Sequence, residues 1–499
     1  MKKIIITIIS SVLLIVFLLG FVDRVKEAPV ESKAVFTYSI SAIPQDLKVI
    51  GKLDKREQDI ICATSRGLVD LGKDGNILPS LAESVEVHDD GLEYDFKIRN
   101  DIYWSDGSKI TPKDIASFFR EILTEEEEAS IETILNVYGA REFRSGIGSF
   151  NNNVGIRATD TNLIVRLNSK NENFVRELSQ PQYKLRKNVL LWQDINNNYK
   201  NLIYSGDYSI SSMGISEIVL KRNTNIDAKL VETIHIVQDE GEELAMAAFE
   251  VGNRDIVINP PKTQLDRLKK ENKLITLESN RGIYLAFNPN AESIPTEGKK
   301  EIYRLINKAV GEYQMSNTSF VELAEGSYFR NDKDDLAKLQ SRKVMSNEVN
   351  EWKPSKEIAL IAEGSTENKN FCEFLVKWFK KNTEMILTYT LIDKEEMKNV
   401  HEETYYNIAL IQCEGSLIGE NSLFNAMINF LPNNYKDELK NIKNQDERKG
   451  KFLSIEDSLF NTYQLLPILF YNDNIAVSNK IKNIVLDGNG NINFNKLQK

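Results

Sequence analysis

Tyr103-Trp104-Ser105-Asp106-Gly107-Ser108-Lys109-Ile110-Thr111-Pro112-Lys113-Asp114 reads as the end of a strand, a turn and the start of a helix. Ile102, Tyr103 and Trp104 are β-prone. In Ser105-Asp106-Gly107 the aspartate can bond its own downstream backbone and the glycine tolerates positive φ. Thr111 suits a helix N-cap, Pro112 the first helical position, and Asp114 adds negative charge to the first turn. Ile115, Phe118, Phe119, Ile122 and Leu123 follow at i, i+3, i+4, i+7 and i+8, the buried face of that helix. Upstream, Leu92, Tyr94, Phe96 and Ile98 alternate with charged residues, as do Val85 and Val87 with Glu86 and His88. Asp89-Asp90-Gly91 between them is a hairpin turn. Residues 84–123 therefore read hairpin, turn, capped helix.

Three more strings stand close by in fixed order: Gly67-Leu68-Val69-Asp70, Pro79-Ser80-Leu81-Ala82-Glu83-Ser84 and Asp89-Asp90-Gly91-Leu92. With Trp104-Ser105-Asp106-Gly107 and Thr111-Pro112-Lys113-Asp114 they resemble the signature region of the family 5 extracellular solute-binding proteins, the oligopeptide, dipeptide and nickel receptors of ABC importers. The resemblance implies an α/β chain with a two-lobe periplasmic-binding-protein-like fold of type II. The first lobe would carry an extra subdomain, and the ligand cleft would lie between the lobes. The implied division is an N-terminal segment and tether over 1–33, lobe I over 34–278 with the inserted subdomain at about 50–184, lobe II over 279–463, and a return to lobe I over 464–499. The implied partners are a short peptide ligand and the permease subunits of an ABC transporter, the chain itself being a monomer.

The totals agree with such a division. A chain of 499 residues is well beyond the ~250–300 at which a single core stops growing. Apolar content of 41% and charged content of 27% are globular values. A net charge of −10 argues against a nucleic-acid binder, which needs a basic face. Cys62, Cys372 and Cys413 are too far apart in sequence for a CxxC motif and are expected as free thiols. The histidines are His88, His235 and His401, none with His or Cys at i+3 or i+4, so metal-site spacing is absent. No Gly-x-Ser-x-Gly or phosphate-loop string occurs. The expectation is no enzyme, no catalytic residues, no metal and no cofactor. Glu125 to Glu128 read as a solvated helix end.

The N-terminus bears on compartment. Met1-Lys2-Lys3 precedes Ile4 to Val22, a run without charge. At ~1.5 Å per residue it extends about 28 Å, close to the hydrocarbon core of a bilayer. Lys2 and Lys3 would stay cytoplasmic and the remainder would be exported. Leu18-Leu19-Gly20 looks like the start of a lipoprotein cleavage box, but the next residue is Phe21, not cysteine, and no Ala-x-Ala-like site follows. An uncleaved membrane anchor is expected, with a cleaved signal as the alternative. The bulk of the chain would be extracytoplasmic and not a lipoprotein.

Beyond the signature region, strands are expected at Ala34–Ile40, Thr233–Val237 and Asp255–Ile258. Between the last two lies a helix burying Leu244, Ala247, Ala248 and Val251, and this strand–helix–strand order suggests a parallel lobe. Gly282–Asn288 resembles the family's crossover strand into the second lobe. Glu357–Ile361, Asn368–Lys381 and Met385–Ile392 form a βαβ unit. Leu465–Tyr471 and Ile475–Val477 read as two closing strands.

In peptide-binding relatives an acid that pairs with the ligand's α-amino group lies just after the strand equivalent to Ile408–Ile411. The resemblance thus points to Glu414, with Cys413 where an aromatic is common. Arg281 and Tyr284 on the crossover strand are candidate carboxylate and stacking contacts. Such pairing is needed because a charge taken out of water must meet its opposite. The alternative reading is a membrane-anchored peptide sensor or interaction protein that keeps this fold and has lost import.

Overall fold

The structure, a computed structural model, describes residues 35–72, 75–223, 231–239, 241–288, 294–328, 330, 352, 357–393, 396–397, 400, 403–414 and 454–499, to which all structural statements refer. The chain opens with β1 (Val35–Ile40), α1 (Lys55–Thr64) and a small hairpin of β2 (Val69–Leu71) and β3 (Ile77–Pro79). β4 (Ala82–Val87) and β5 (Glu93–Ile98) form the expected hairpin, with Gly91 at φ 66° in its turn. α2 (Pro112–Glu125) starts at a reciprocal cap: the Thr111 hydroxyl accepts from the Asp114 amide, and the Asp114 carboxylate accepts from the Thr111 amide at 2.8 Å. All five apolar residues expected on its inner face are buried.

β6 (Ile156–Ala158) and β7 (Asn162–Arg166) complete an antiparallel sheet ordered β4-β5-β7-β6. Tyr94, Phe96, Leu163 and Val165 from this sheet share one core with α2 and Trp104. Ser105 fastens that core to the next: its amide donates to the Tyr204 carbonyl at 2.8 Å and its hydroxyl accepts from the Tyr204 amide at 3.0 Å. The acidic run at the end of α2 is not all solvated. Glu126 is 3% exposed and faces the buried Arg186 at 3.5 Å, while Arg186 also donates to the Leu47 and Lys48 carbonyls. A charge count along the sequence cannot see a partner sixty residues away.

β8 (Tyr208–Met213), β9 (Glu217–Arg222) and β10 (Thr233–Gln238) join β1 in a second sheet, ordered β1-β10-β9-β8, with β1 parallel to β10. α3 (Glu242–Glu250) and β11 (Ile256–Ile258) follow, and here two expectations fail. α3 buries Ala245, Met246 and Phe249, leaving Leu244 57% and Val251 73% exposed. β11 does not pair with β10. It runs antiparallel to the late strand β17, so this lobe's sheet is mixed rather than parallel.

Next come β12 (Leu274–Phe287), α4 (Thr296–Met315), β13 (Val321–Leu323), β14 (Ile358–Glu363), α5 (Thr366–Asn382), β15 (Leu387–Ile392), β16 (Ile408–Glu414), a helix at 454–461 and β17 (Leu465–Val477). The seven-stranded sheet is ordered β11-β17-β12-β16-β14-β15, with β13 beside β17. β14, α5 and β15 form the expected parallel βαβ unit. β17 is one strand where two were expected. Pro467, which has no amide to give the ladder, sits where pairing with β12 slips: Ile283 opposes Leu469 but Tyr284 opposes Pro467.

β12 and β17 pass from one core to another. Ile275 and Leu277 pack beside Phe36, Tyr38 and Ile234, whereas Ile283 to Phe287 belong to a core with Ile302, Phe371 and Leu410. β17 makes the reverse journey, from Leu465–Tyr471 in the second core to Ile475 in the first. Their ladder is interrupted between Glu278 and Gly282, at the crossing. The three cysteines are free, Cys372 and Cys413 buried and Cys62 half-buried. The anchor expected at residues 4–22 and His401 lie outside the described residues. Among those described, no helix is long and apolar enough to cross a membrane.

Candidate functional site

The crossing of β12 and β17 creates a seam, and a solvent-open cleft lies along it. One wall is built by the start of α3 and the turn after β11, bringing Glu242, Asn259 and Lys262; the other by the start of α5 and the end of α4, bringing Glu367 and Tyr313, with Phe320 beside them.

Asn474 fastens the base of this cleft. Its amide donates to the Asn259 side chain at 3.0 Å while the Asn259 amide donates to the Asn474 carbonyl at 2.7 Å. Asn259 adopts φ 45°, a left-handed conformation that asparagine tolerates better than most residues. The Asn474 side chain also accepts from the Thr276 hydroxyl and donates to the Ser319 carbonyl, both at 2.8 Å. One buried amide thus joins β11, β12, β17 and the loop before β13. This explains why Asn472-Asp473-Asn474, a turn-like string, stays inside one strand.

The residues singled out from sequence fall into two groups. Arg281 and Glu414 are directly opposite each other across the β12–β16 ladder, at the crossing. The Arg281 guanidinium pairs with Glu367 at 3.0 Å and Asp473 at 3.4 Å, and lies 5.0 Å over the Tyr471 ring. Cys413 and Tyr284 stand deeper. Cys413 is 2% exposed, and burial pushes its thiol up to about 12. Tyr284 is 1% exposed, donates to the Tyr328 carbonyl at 2.6 Å and stacks on the Tyr328 ring.

Glu242, Lys262 and Glu367 were not singled out from sequence. Lys262 stands in an ordinary Pro-Pro-Lys-Thr string, and Glu242 and Glu367 in first helical turns, where acids are common for reasons of capping and dipole. Desolvation in the cleft, then the charges of Glu367 and Glu243, raise the Glu242 carboxyl above its ordinary value. Burial lowers the Lys262 ammonium to about 8 against the opposing pull of Glu367. Among the described residues no group of His, Cys, Asp and Glu is placed to hold a metal ion.

A family model described as bacterial extracellular solute-binding proteins, family 5, middle part, matches residues 76–310. The dipeptide-binding protein DppE of Bacillus subtilis is 22% identical over 462 residues, 84% of this chain and 83% of its own length. The oligopeptide-binding protein OppA of the same organism is 22% identical over 485 residues, 87% of each. The matched stretch is a little under half of the chain, and the chain is similar to the family 5 extracellular solute-binding proteins. Its two-lobe fold is that of solved peptide-binding proteins. The solved structure of the Escherichia coli murein tripeptide-binding protein MppA superposes with a TM-score of 0.68 at 16% identity, covering 94% of this chain and 98% of MppA. The strings at 67–114 that carried the resemblance build scaffold here: Trp104 and Phe118 are core residues, and Thr111 is a cap.

Proposed function

We propose that this solute-binding protein captures short peptides outside the cytoplasm, between its two lobes, and presents them to the permease subunits of an ABC importer. The observation that carries this is the cleft at the β12–β17 crossing, walled by α3 and the turn after β11 on one side and by α4 and α5 on the other, and lined by charged side chains and aromatic rings. An extended peptide can add its backbone to strand edges there, so length and termini matter more than side chains. The names of DppE and OppA support peptides as the ligand class. The chain works as a monomer held to the membrane by residues 4–22.

Glu414 is the proposed partner of the peptide's α-amino group. It is the last residue of β16, which runs parallel to β14, and ligands of α/β folds gather at the carboxyl ends of parallel strands. Removing one partner of a desolvated charge pair costs about 2–5 kcal/mol. Glu414→Gln should therefore weaken binding by about 30- to 4,000-fold at ~1.4 kcal/mol per decade. Calorimetry with a pool of short peptides, free and N-acetylated, checks this. Acetylation should hurt the wild type and matter little to Glu414→Gln. Equal binding of both pools by the wild type would remove Glu414 from the role, and no binding of either would favour the sensor or interaction reading.

A further inference from the structure

Lys262 is the cation among the described residues that line the cleft, and its surroundings are unusual for a lysine. Its stem leaves the wall after β11, yet its ammonium rests against the other wall. The nitrogen lies 4.3 Å from the Tyr313 ring centre and 5.3 Å from that of Phe320, and donates to the Tyr313 hydroxyl at 2.9 Å. Tyr313 belongs to the second core, and Phe320 packs on it. Among the described residues no carboxylate lies within ion-pair distance of Lys262; the acid nearest in effect, Glu367, is engaged by Arg281. Ring faces attract an ammonium but supply no counter-charge. Half-buried lysines otherwise turn their heads to water or to an acid. The turn itself is stiff: Pro260 and Pro261 precede Lys262, and Asn259 is fixed by Asn474.

We infer that Lys262 is the anion-receiving group of the cleft and that the ligand presents a carboxylate to it, over the Tyr313 and Phe320 rings. This rests on the peptide reading of the cleft and narrows it to peptides with a free carboxylate, at the C-terminus or on an acidic side chain. Arg281, the candidate drawn from sequence, already holds two carboxylates, whereas Lys262 has donor capacity to spare. Because Lys262 spans the two walls, a carboxylate there is gripped from both. Burial lowers the ammonium, and the pull of Glu367 offsets this only in part.

The full chain is treated with an acetylating N-hydroxysuccinimide ester near pH 8, and acetylation of Lys262 is followed by peptide mass spectrometry. The probes are pools of free-acid peptides, of the same peptides as C-terminal amides, and of amides carrying one aspartate, with binding read in parallel by calorimetry. The free-acid pool should protect Lys262 and bind about 10- to 100-fold more tightly than the plain amides. The aspartyl amides then tell a side-chain carboxylate from a C-terminal one. Lys262→Met, which keeps the stem on the rings, should bind acids and amides alike, and Lys262→Arg should restore part of the preference. If the acid pool binds but leaves Lys262 unprotected, or if amides bind equally well, the inference falls and the peptide reading stands. If no pool binds, the peptide reading falls. Acetate and succinate then decide: protection of Lys262 by them keeps a carboxylate site for another ligand, and none ends it.

Discussion

Asp59 shows how a single buried acid ties the two ends of the chain. It lies on α1, fully buried, and one carboxylate oxygen accepts from the Asn491 side chain at 3.0 Å and the Ile492 amide at 2.9 Å. Arg56 approaches the other oxygen at 3.4 Å. Burial outweighs these partners and raises the carboxyl to about 6. An unfolded aspartate titrates near ~3.9, so between roughly pH 4 and 6 the folded chain holds a proton that the unfolded chain has released. The contribution of Asp59 to stability therefore grows as pH falls from 7 through 6. Asp59→Asn keeps an oxygen acceptor and removes the titration. Urea midpoints at about pH 7 and pH 5 should show a smaller acid-side gain, or a steeper acid-side loss, in the variant than in the wild type. Equal pH responses would mean that Asp59 does not titrate in this window.

Among the elements, α2 and α3 mark the limits of what the sequence reveals. α2 was legible because cap, proline, acid and five apolar residues all agree on one helix and one face. α3 has nine residues, several of them alanine, and two apolar stripes fit its period equally well. The choice is made by tertiary neighbours: Met246 and Phe249 meet Val257, Leu268 and Ala476. Phe249→Ala should cost about 3–5 kcal/mol and Val251→Ser no more than ~0.5 kcal/mol, read from urea midpoints. Similar costs for both would mean that the helix is turned. The same distinction holds for the cleft. The crossover and strand-end strings led to Arg281 and Glu414, which stand opposite each other in the β12–β16 ladder and are not among the described residues that line the cleft, whereas Lys262 and Glu367 acquire their setting only when chain-distant walls meet.

At the scale of the whole molecule, the two cores are joined by β12 and β17 at an interrupted ladder, with the cleft alongside. Two strands permit bending about the crossing and resist separation. A ligand held by Glu414 and Lys262 would favour the closed arrangement, because only there are both ends gripped. Small-angle scattering should give a smaller radius of gyration with a saturating peptide pool than without; an unchanged radius in the presence of calorimetric binding would mean that the lobes do not hinge. The return of β17 also has a consequence for assembly in time. Phe36 and Tyr38 near one end of the chain pack on Phe494 near the other, and the last residue, Lys499, pairs with Asp255 at 2.8 Å. The second core closes within residues 283–471, but the first needs Ile481, Leu486, Ile492, Phe494 and Leu497. A ribosome delivers those residues after the whole of the second core. The core that holds the first strand is thus finished last, whereas the core around α2 closes within residues 68–189 and can form before it.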